Sequence, residues 1–305
     1  MNFFRKGVLQ MRKIWRTMLT LMLAVAVWIA FVTPAGAVSE SILIYGEKLS
    51  ESQRQEVREI FGIGENDVIE EHDVTGEDYA NYIDGNPNAN MYSSALIKME
   101  NDGEGLVVNI VTPENITKVT SEMYENALLT AGAENVTVDV ASPIAVTGHS
   151  ALTGIYKAFD VEGVELDKER MELANDELVV ATDLAEREGM TDESVTTLLT
   201  EIKKMIAEQN PVTREEVEQI VSEQLSNLEI NLSEEDRQML IDLFDRMREL
   251  DIDFSGVVDQ LQNIADSVAQ KAEELGLDEG FWEKVANFFA DLFSSIGDFF
   301  RGLFN

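Results

Sequence analysis

The chain has 305 residues, with 58 acidic against 23 basic side chains, a formal net charge of −35 and no cysteine. That charge repels a phosphate backbone, so no nucleic-acid partner is expected, and bulk anionic polymers are disfavoured for the same reason. Without cysteine there is no disulfide, thiolate nucleophile, Cys-ligated zinc or lipid-modified cysteine, and stability has to come from a packed core.

Residues 1–37 read as a signal peptide. Arg5, Lys6, Arg12, Lys13 and Arg16 make a basic start, and Met18 to Val32 is an apolar run broken by Thr20. Ala35-Gly36-Ala37 then gives the small-x-small pattern of a cleavage site, with Val38 as the expected new N-terminus. The run is too short for a stable span. The expectation is a secreted, extracytoplasmic protein with no lipid anchor and no transmembrane span after cleavage. Removing this segment takes away basic residues only, so the released chain is more acidic still.

Residues 38–164 switch repeatedly between strand and helix periods. Ser41 to Tyr45 is a short apolar strand ending at Gly46. Ser50 opens a helix with Gln53 in capping-box position and Gly62 behind it. Asp67 to Asp73 reads as a strand and Thr75 to Ile83 as a short helix before the turn-rich "DGNPNAN". Tyr92–Met99 and Leu106–Val111 flank "ENDGEG", which predicts a hairpin. Thr112-Pro113-Glu114 reads as N-cap, first-turn proline and acid of a helix carrying Ile116, Val119, Met123, Ala127 and Leu128 and closing at Gly132. Val136, Val138 and Val140 alternate with polar residues, as a half-buried strand does. The class predicted is α+β: a mixed sheet with packed helices, including a split β-α-β arrangement.

Residues 165–279 show helical spacing only. Val195, Leu198, Leu199, Ile202 and Ile206 share one face, and Pro211 interrupts the chain. Thr213 with Glu216, and Ser233 with Asp236, open two further helices. Ser255 precedes a fourth, with Val258, Leu261, Ile264, Ala265, Val268 and Leu275 along it. The spacing is not strictly heptad, so an all-helical bundle region is predicted rather than a long coiled coil.

The stretch "VTGHSALTG" places His149 and Ser150 together between a strand and a helix. A nucleophile elbow needs glycine two residues after the serine, where this chain has Leu152. Thr147 or Ser150 as a helix cap, with Gly148 in a tight turn, accounts for the same residues. His72 is the other histidine. Asp251 to Gln262, "DIDFSGVVDQLQ", matches a calcium loop at Asp251, Asp253, Ser255, Gly256 and Asp259, but ends in Gln262 and carries Phe254 inside. It is therefore expected to be a turn, with divalent-cation binding weak. "DGNPNAN" fits the calcium pattern less well. No catalytic, metal or cofactor-binding residue is assigned, and no cofactor is expected.

Residues 280–305 are the most unusual part of the chain. Phe281, Val285, Phe288, Phe289, Leu292, Ile296, Phe299, Phe300 and Leu303 recur at helical steps, and Trp282 and Phe293 widen the stripe. Glu283, Lys284, Asn287, Asp291, Ser295, Asp298 and Arg301 lie opposite. Polar residues in every turn argue against a span. An amphipathic helix of this kind suits a membrane surface, an envelope protein partner or burial of its aromatic face in the chain's own helical bundle.

Thr112-Pro113, Asn115-Ile116-Thr117, Val140 to Pro143, Thr147-Gly148 and Ala151 to Gly154 together resemble the DUF1002 family of YpuA-like predicted secreted proteins of Gram-positive bacteria. The resemblance implies secretion and a cell-envelope setting, and it brings no catalytic residue with it. The function expected is that of an exported acidic envelope protein with a non-enzymatic interaction role. An extracytoplasmic hydrolase using unidentified carboxylates and a calcium-responsive binding module are the alternatives.

Overall fold

β1 (Ser41–Gly46), β2 (Glu70–Val74), β3 (Ser94–Met99), β4 (Leu106–Ile110) and β5 (Val136–Ala141) form one mixed sheet in the spatial order β2-β1-β3-β5-β4. β1 is parallel to β2 and β4 is parallel to β5, while β3 runs antiparallel between the two pairs. The computed structural model describes residues 41–64 and 66–276. The expected signal segment, 1–37, and the expected aromatic helix, 280–305, lie outside the described residues.

The two faces of the sheet are unequal. On one, Leu43 and Tyr45 of β1 meet Leu49 and Val57, the latter on α1 (Glu51–Ile60). α1 begins with the predicted capping box, in which the Ser50 amide donates to Gln53 Oε1 at 2.9 Å. The other face holds Ile42, Ile44, Ala95, Ile97, Val108 and Val138. It lies under α3 (Ser121–Ala131) and α4 (Ser150–Val161). Ile44, Leu152 and Ile155 are fully buried there, each contributing about 1.5–3 kcal/mol relative to exposure. α2 (Gly76–Ile83) packs beside α4.

Two local readings are corrected by the structure. β3 and β4 are not a hairpin, because β5 lies between them. The loop joining them straddles the entry to β5, where Asn135 Oδ1 accepts from the amides of Gly103 and Gly105 at 2.9 and 3.2 Å. The helix after β4 starts at Ser121 with Thr120 as its cap, not at Thr112. Thr112 Oγ1 instead accepts from the Ser142 amide at 2.9 Å, and Ile116 bridges to Val146, so this segment is tied to the strand exit.

The remaining helices are α5 (Lys168–Ala185), α6 (Asp192–Gln209), α7 (Arg214–Asn227), α8 (Glu234–Glu249) and α9 (Val258–Leu275). α6 sits among α3, α5, α7 and α9, and every residue from Ser194 to Ile206 is buried. A helix enclosed on all sides needs either apolar residues or paired polar ones around its whole circumference. Here Thr196, Thr200, Glu201, Lys203 and Lys204 fill the second role. One continuous apolar core runs from Ile42 in the sheet to Val268 in α9. The predicted capping box forms at Thr213, and Ser233 caps its helix by accepting from the Asp236 amide without the reciprocal bond of a box. No helix among the described residues is long and apolar enough to cross a membrane.

Candidate functional site

β3 and β5 are antiparallel neighbours, so the segment entering β3 and the segment leaving β5 meet at the same end of the sheet. A cavity of about 310 Å³ opens between them, lined by Tyr79, Tyr92, Thr147, His149 and Ser150 among others. Crevices beyond strand ends are where sheets of this kind most often hold ligands.

The structure does not couple His149 to Ser150. Ser150 Oγ donates to Ser93 Oγ at 3.0 Å. The Thr182 hydroxyl is committed to the backbone carbonyls of Leu178 and Val179, at 3.1 and 3.0 Å, so at His149 it acts as acceptor. His149 Nε2 therefore donates to Thr182 Oγ1 at 3.2 Å, and Nδ1 accepts from Thr147 Oγ1 at 3.2 Å. Burial, reinforced by Lys118, lowers the His149 pKa, with Asp183 opposing. A neutral imidazole with both nitrogens engaged by threonines is not a base poised on the neighbouring serine. The predicted side-chain cap is also absent, since the residue before α4 makes no such bond. Gly148 does take a turn conformation closed to other residues, with φ of 107°. His72, on edge strand β2, pairs with Glu70 at 2.9 Å.

The strongest concentration of ionisable chemistry is one the sequence reading did not single out. Lys203 Nζ on α6 lies 2.6 Å from Glu177 Oε1 on α5, with exposures of 0% and 1%. The ammonium also donates to the Asn126 carbonyl at 2.7 Å and sits 5.5 Å from the Phe254 ring centroid. Thr130 Oγ1 donates to Glu177 Oε2 at 2.6 Å, and Asn126 Nδ2 donates to Thr200 Oγ1 at 2.9 Å. Desolvation lowers the Lys203 pKa against the pull of Glu177. Burial and the same carboxylate raise the Tyr156 phenol. Nearby, burial lifts Glu201 to about 7 despite Lys204 at 3.2 Å. These groups join α3, α4, α5 and α6 inside the core, where their side chains are buried. The sequence signal was the pair Lys203-Lys204 between Ile202 and Met205 on the apolar stretch of a helix.

Asp251 to Gln262 is a structural turn. Phe254 is buried under Lys203, Asp253 Oδ1 accepts from the Ser255 amide at 2.8 Å, and Gln262 Oε1 accepts from Lys204 at 2.8 Å. Ser255 begins a short 3-10 turn, Ser255–Val257, and does not cap α9. Among the described residues no group of three or more His, Asp or Glu side chains is arranged to hold a metal.

The fold and its cavity thus define an α+β protein whose sheet and helices share one core and whose concave site is furnished with neutral polar and aromatic groups. The chain belongs to the family described as protein of unknown function, DUF1002, whose model matches residues 45–264. That match begins in β1 and ends in α9, so it spans the sheet and the helices together. The chain is also 33% identical, over 305 residues, to the uncharacterized protein YpuA of Bacillus subtilis (strain 168). The alignment covers 95% of this chain and 100% of that protein. No solved structure matches.

Proposed function

We propose that this chain is an exported, acidic protein of the cell envelope with a non-enzymatic interaction role, and that residues 281–303 supply its contact with a membrane surface. The observation that carries this reading is the aromatic stripe from Phe281 to Leu303, opposed by a polar face that includes only Lys284 and Arg301 as cations. Aromatic rings favour the interfacial zone, and so few cations make the contact apolar rather than electrostatic. The high negative charge keeps such a protein dispersed despite its apolar end. The chemistry of the body agrees: its most perturbed ionisable groups are committed to packing, and the cavity's histidine and serine are separately engaged.

Vesicle sedimentation tests the reading. A chain from Val38 to Asn305 is expected to sediment with zwitterionic phosphatidylcholine vesicles, with little sensitivity to salt. A chain ending at Gly276 is expected to stay in the supernatant with an unchanged melting temperature. Equal sedimentation of both chains, or of neither, would contradict the proposal.

A further inference from the structure

α9 is fastened to the body in a way that does not depend on the membrane role of the tail that follows it. Its buried stripe is Leu261, Ile264, Ala265, Val268 and Ala272. Three polar links supplement that stripe. Gln260 Oε1 accepts from the Leu106 amide at 2.9 Å, on edge strand β4. Gln262 Oε1 accepts from Lys204 Nζ of α6 at 2.8 Å. Near the other end of the helix, Lys271 Nζ pairs with Glu122 Oε1 of α3 at 2.5 Å.

Two of these links run to a second, more enclosed carboxyl group. Lys204 Nζ also donates to Glu201 Oε1 at 3.2 Å, so Glu201 and α9 share one ammonium. Asp266 of α9 acts on Lys204 as well, while the neighbouring Lys203 is committed to Glu177 of α5. At the other link, Glu125 stands one turn beyond Glu122 and accepts from the Val108 amide at 2.9 Å. Glu122 and Lys271 are the charges that act on it. Burial raises Glu125 to about 7 against the Val108 amide and Lys271, with Glu122 adding to the rise. Burial raises Glu201 to about 7 against Lys204.

Both carboxyls thus lie above their unfolded values. The stability each lends is present at low pH and is lost as pH rises through about 7. Once ionised, Glu201 is a charge inside the core, and Glu125 faces the carboxylate of Glu122 beside a single Lys271. Lys204 offsets part of the first cost, but burial lowers its own pKa and it is divided between Glu201 and Gln262. Lifting α9 would return both carboxylates to water. Among the described elements α9 is the last, entered through the short turn Ser255–Val257, and such terminal helices open at less than the global free energy. We infer that α9 is a pH-sensitive strap, closed over α3 and α6 in mildly acidic surroundings and loosened above neutral pH. Residues 277–305 follow it directly in the chain, so its closure limits their reach from the body.

Hydrogen exchange of the chain from Val38 to Asn305 at pH 6 and pH 8, corrected for intrinsic rates, tests the strap. Amides of Leu261 to Leu275 are expected to be less protected than those of α5 at pH 8, showing that α9 opens by itself. Their protection is expected to fall by about tenfold per carboxylate between the two pH values. Glu125→Gln and Glu201→Gln, which keep the side-chain shape and an acceptor oxygen, are each expected to remove about tenfold of that fall. Protection of α9 equal to that of α5 at pH 8 would overturn the inference, because α9 would then open only with the whole body. So would α9 protection independent of pH, or a fall that both variants leave unchanged.

Discussion

Replacing Lys203 by Met is the most informative perturbation of the body. The substitution conserves length and apolar volume but removes the charge that faces Glu177 at 2.6 Å. The Asn126 carbonyl loses its 2.7 Å donor at the same time. A buried ion stripped of its partner costs about 3–5 kcal/mol. For a folded unit of this size each kcal/mol lowers the melting temperature by about 2–4 °C, so the expected fall is on the order of 6–20 °C. Lys203→Met with Glu177→Met removes both charges and leaves Thr130 and Asn126 each short of one hydrogen bond. That costs about 1 kcal/mol apiece, so the double variant is expected to be more stable than Lys203→Met alone. Urea unfolding of the three proteins, followed by circular dichroism at neutral pH, measures the coupling. A Lys203→Met protein within about 1 kcal/mol of the parent, or a double variant whose loss is the sum of the two single losses, would refute the reasoning.

Other outcomes follow from the same geometry. Glu201 is fully buried with its pKa raised to about 7, above its unfolded value, so its stabilising contribution is present at low pH and is lost as pH rises towards 7. Folding stability is therefore expected to decline across that window, and Glu201→Gln to flatten the decline, as denaturant midpoints at several pH values would show. Ser150→Ala is expected to cost about 1 kcal/mol through its bond to Ser93, and to leave any cellular phenotype intact at matched protein levels. Calcium titration is expected to show no micromolar site that Asp251→Ala abolishes, because Gln262 is engaged by Lys204 and offers no carboxylate.

Where the sequence was legible, the physics was local. Capping boxes at Ser50 and Thr213 place a side chain three residues from the amide it meets, and such motifs survive almost any tertiary context. Alternating valines in β5 declared a half-buried strand. The errors arose where a distant partner took over a residue's local role. Asp102-Gly103 signals a tight hairpin, yet Asn135, more than thirty positions away, occupies that loop. Thr112 is a good cap by type, but Ser142 claims its hydroxyl. The helix α5 escaped notice because Asn175, Glu177 and Thr182 stand on its buried face and break the apolar period. The cavity was half visible: His149 and Ser150 drew attention, whereas Ala89 to Tyr92 reach it only through the loop packed on β1, and Tyr79 from helix α2.

One measurement bears most directly on the central claim. Once residues 1–37 are removed, Trp282 is the sole tryptophan of the chain, and it lies within the aromatic stripe. Its fluorescence therefore reports on that stripe alone. For the chain from Val38 to Asn305, phosphatidylcholine vesicles are predicted to shift the emission to shorter wavelength, and brominated acyl chains to quench it. An emission spectrum unchanged by vesicles, with no quenching, would contradict a membrane-surface role for the tail.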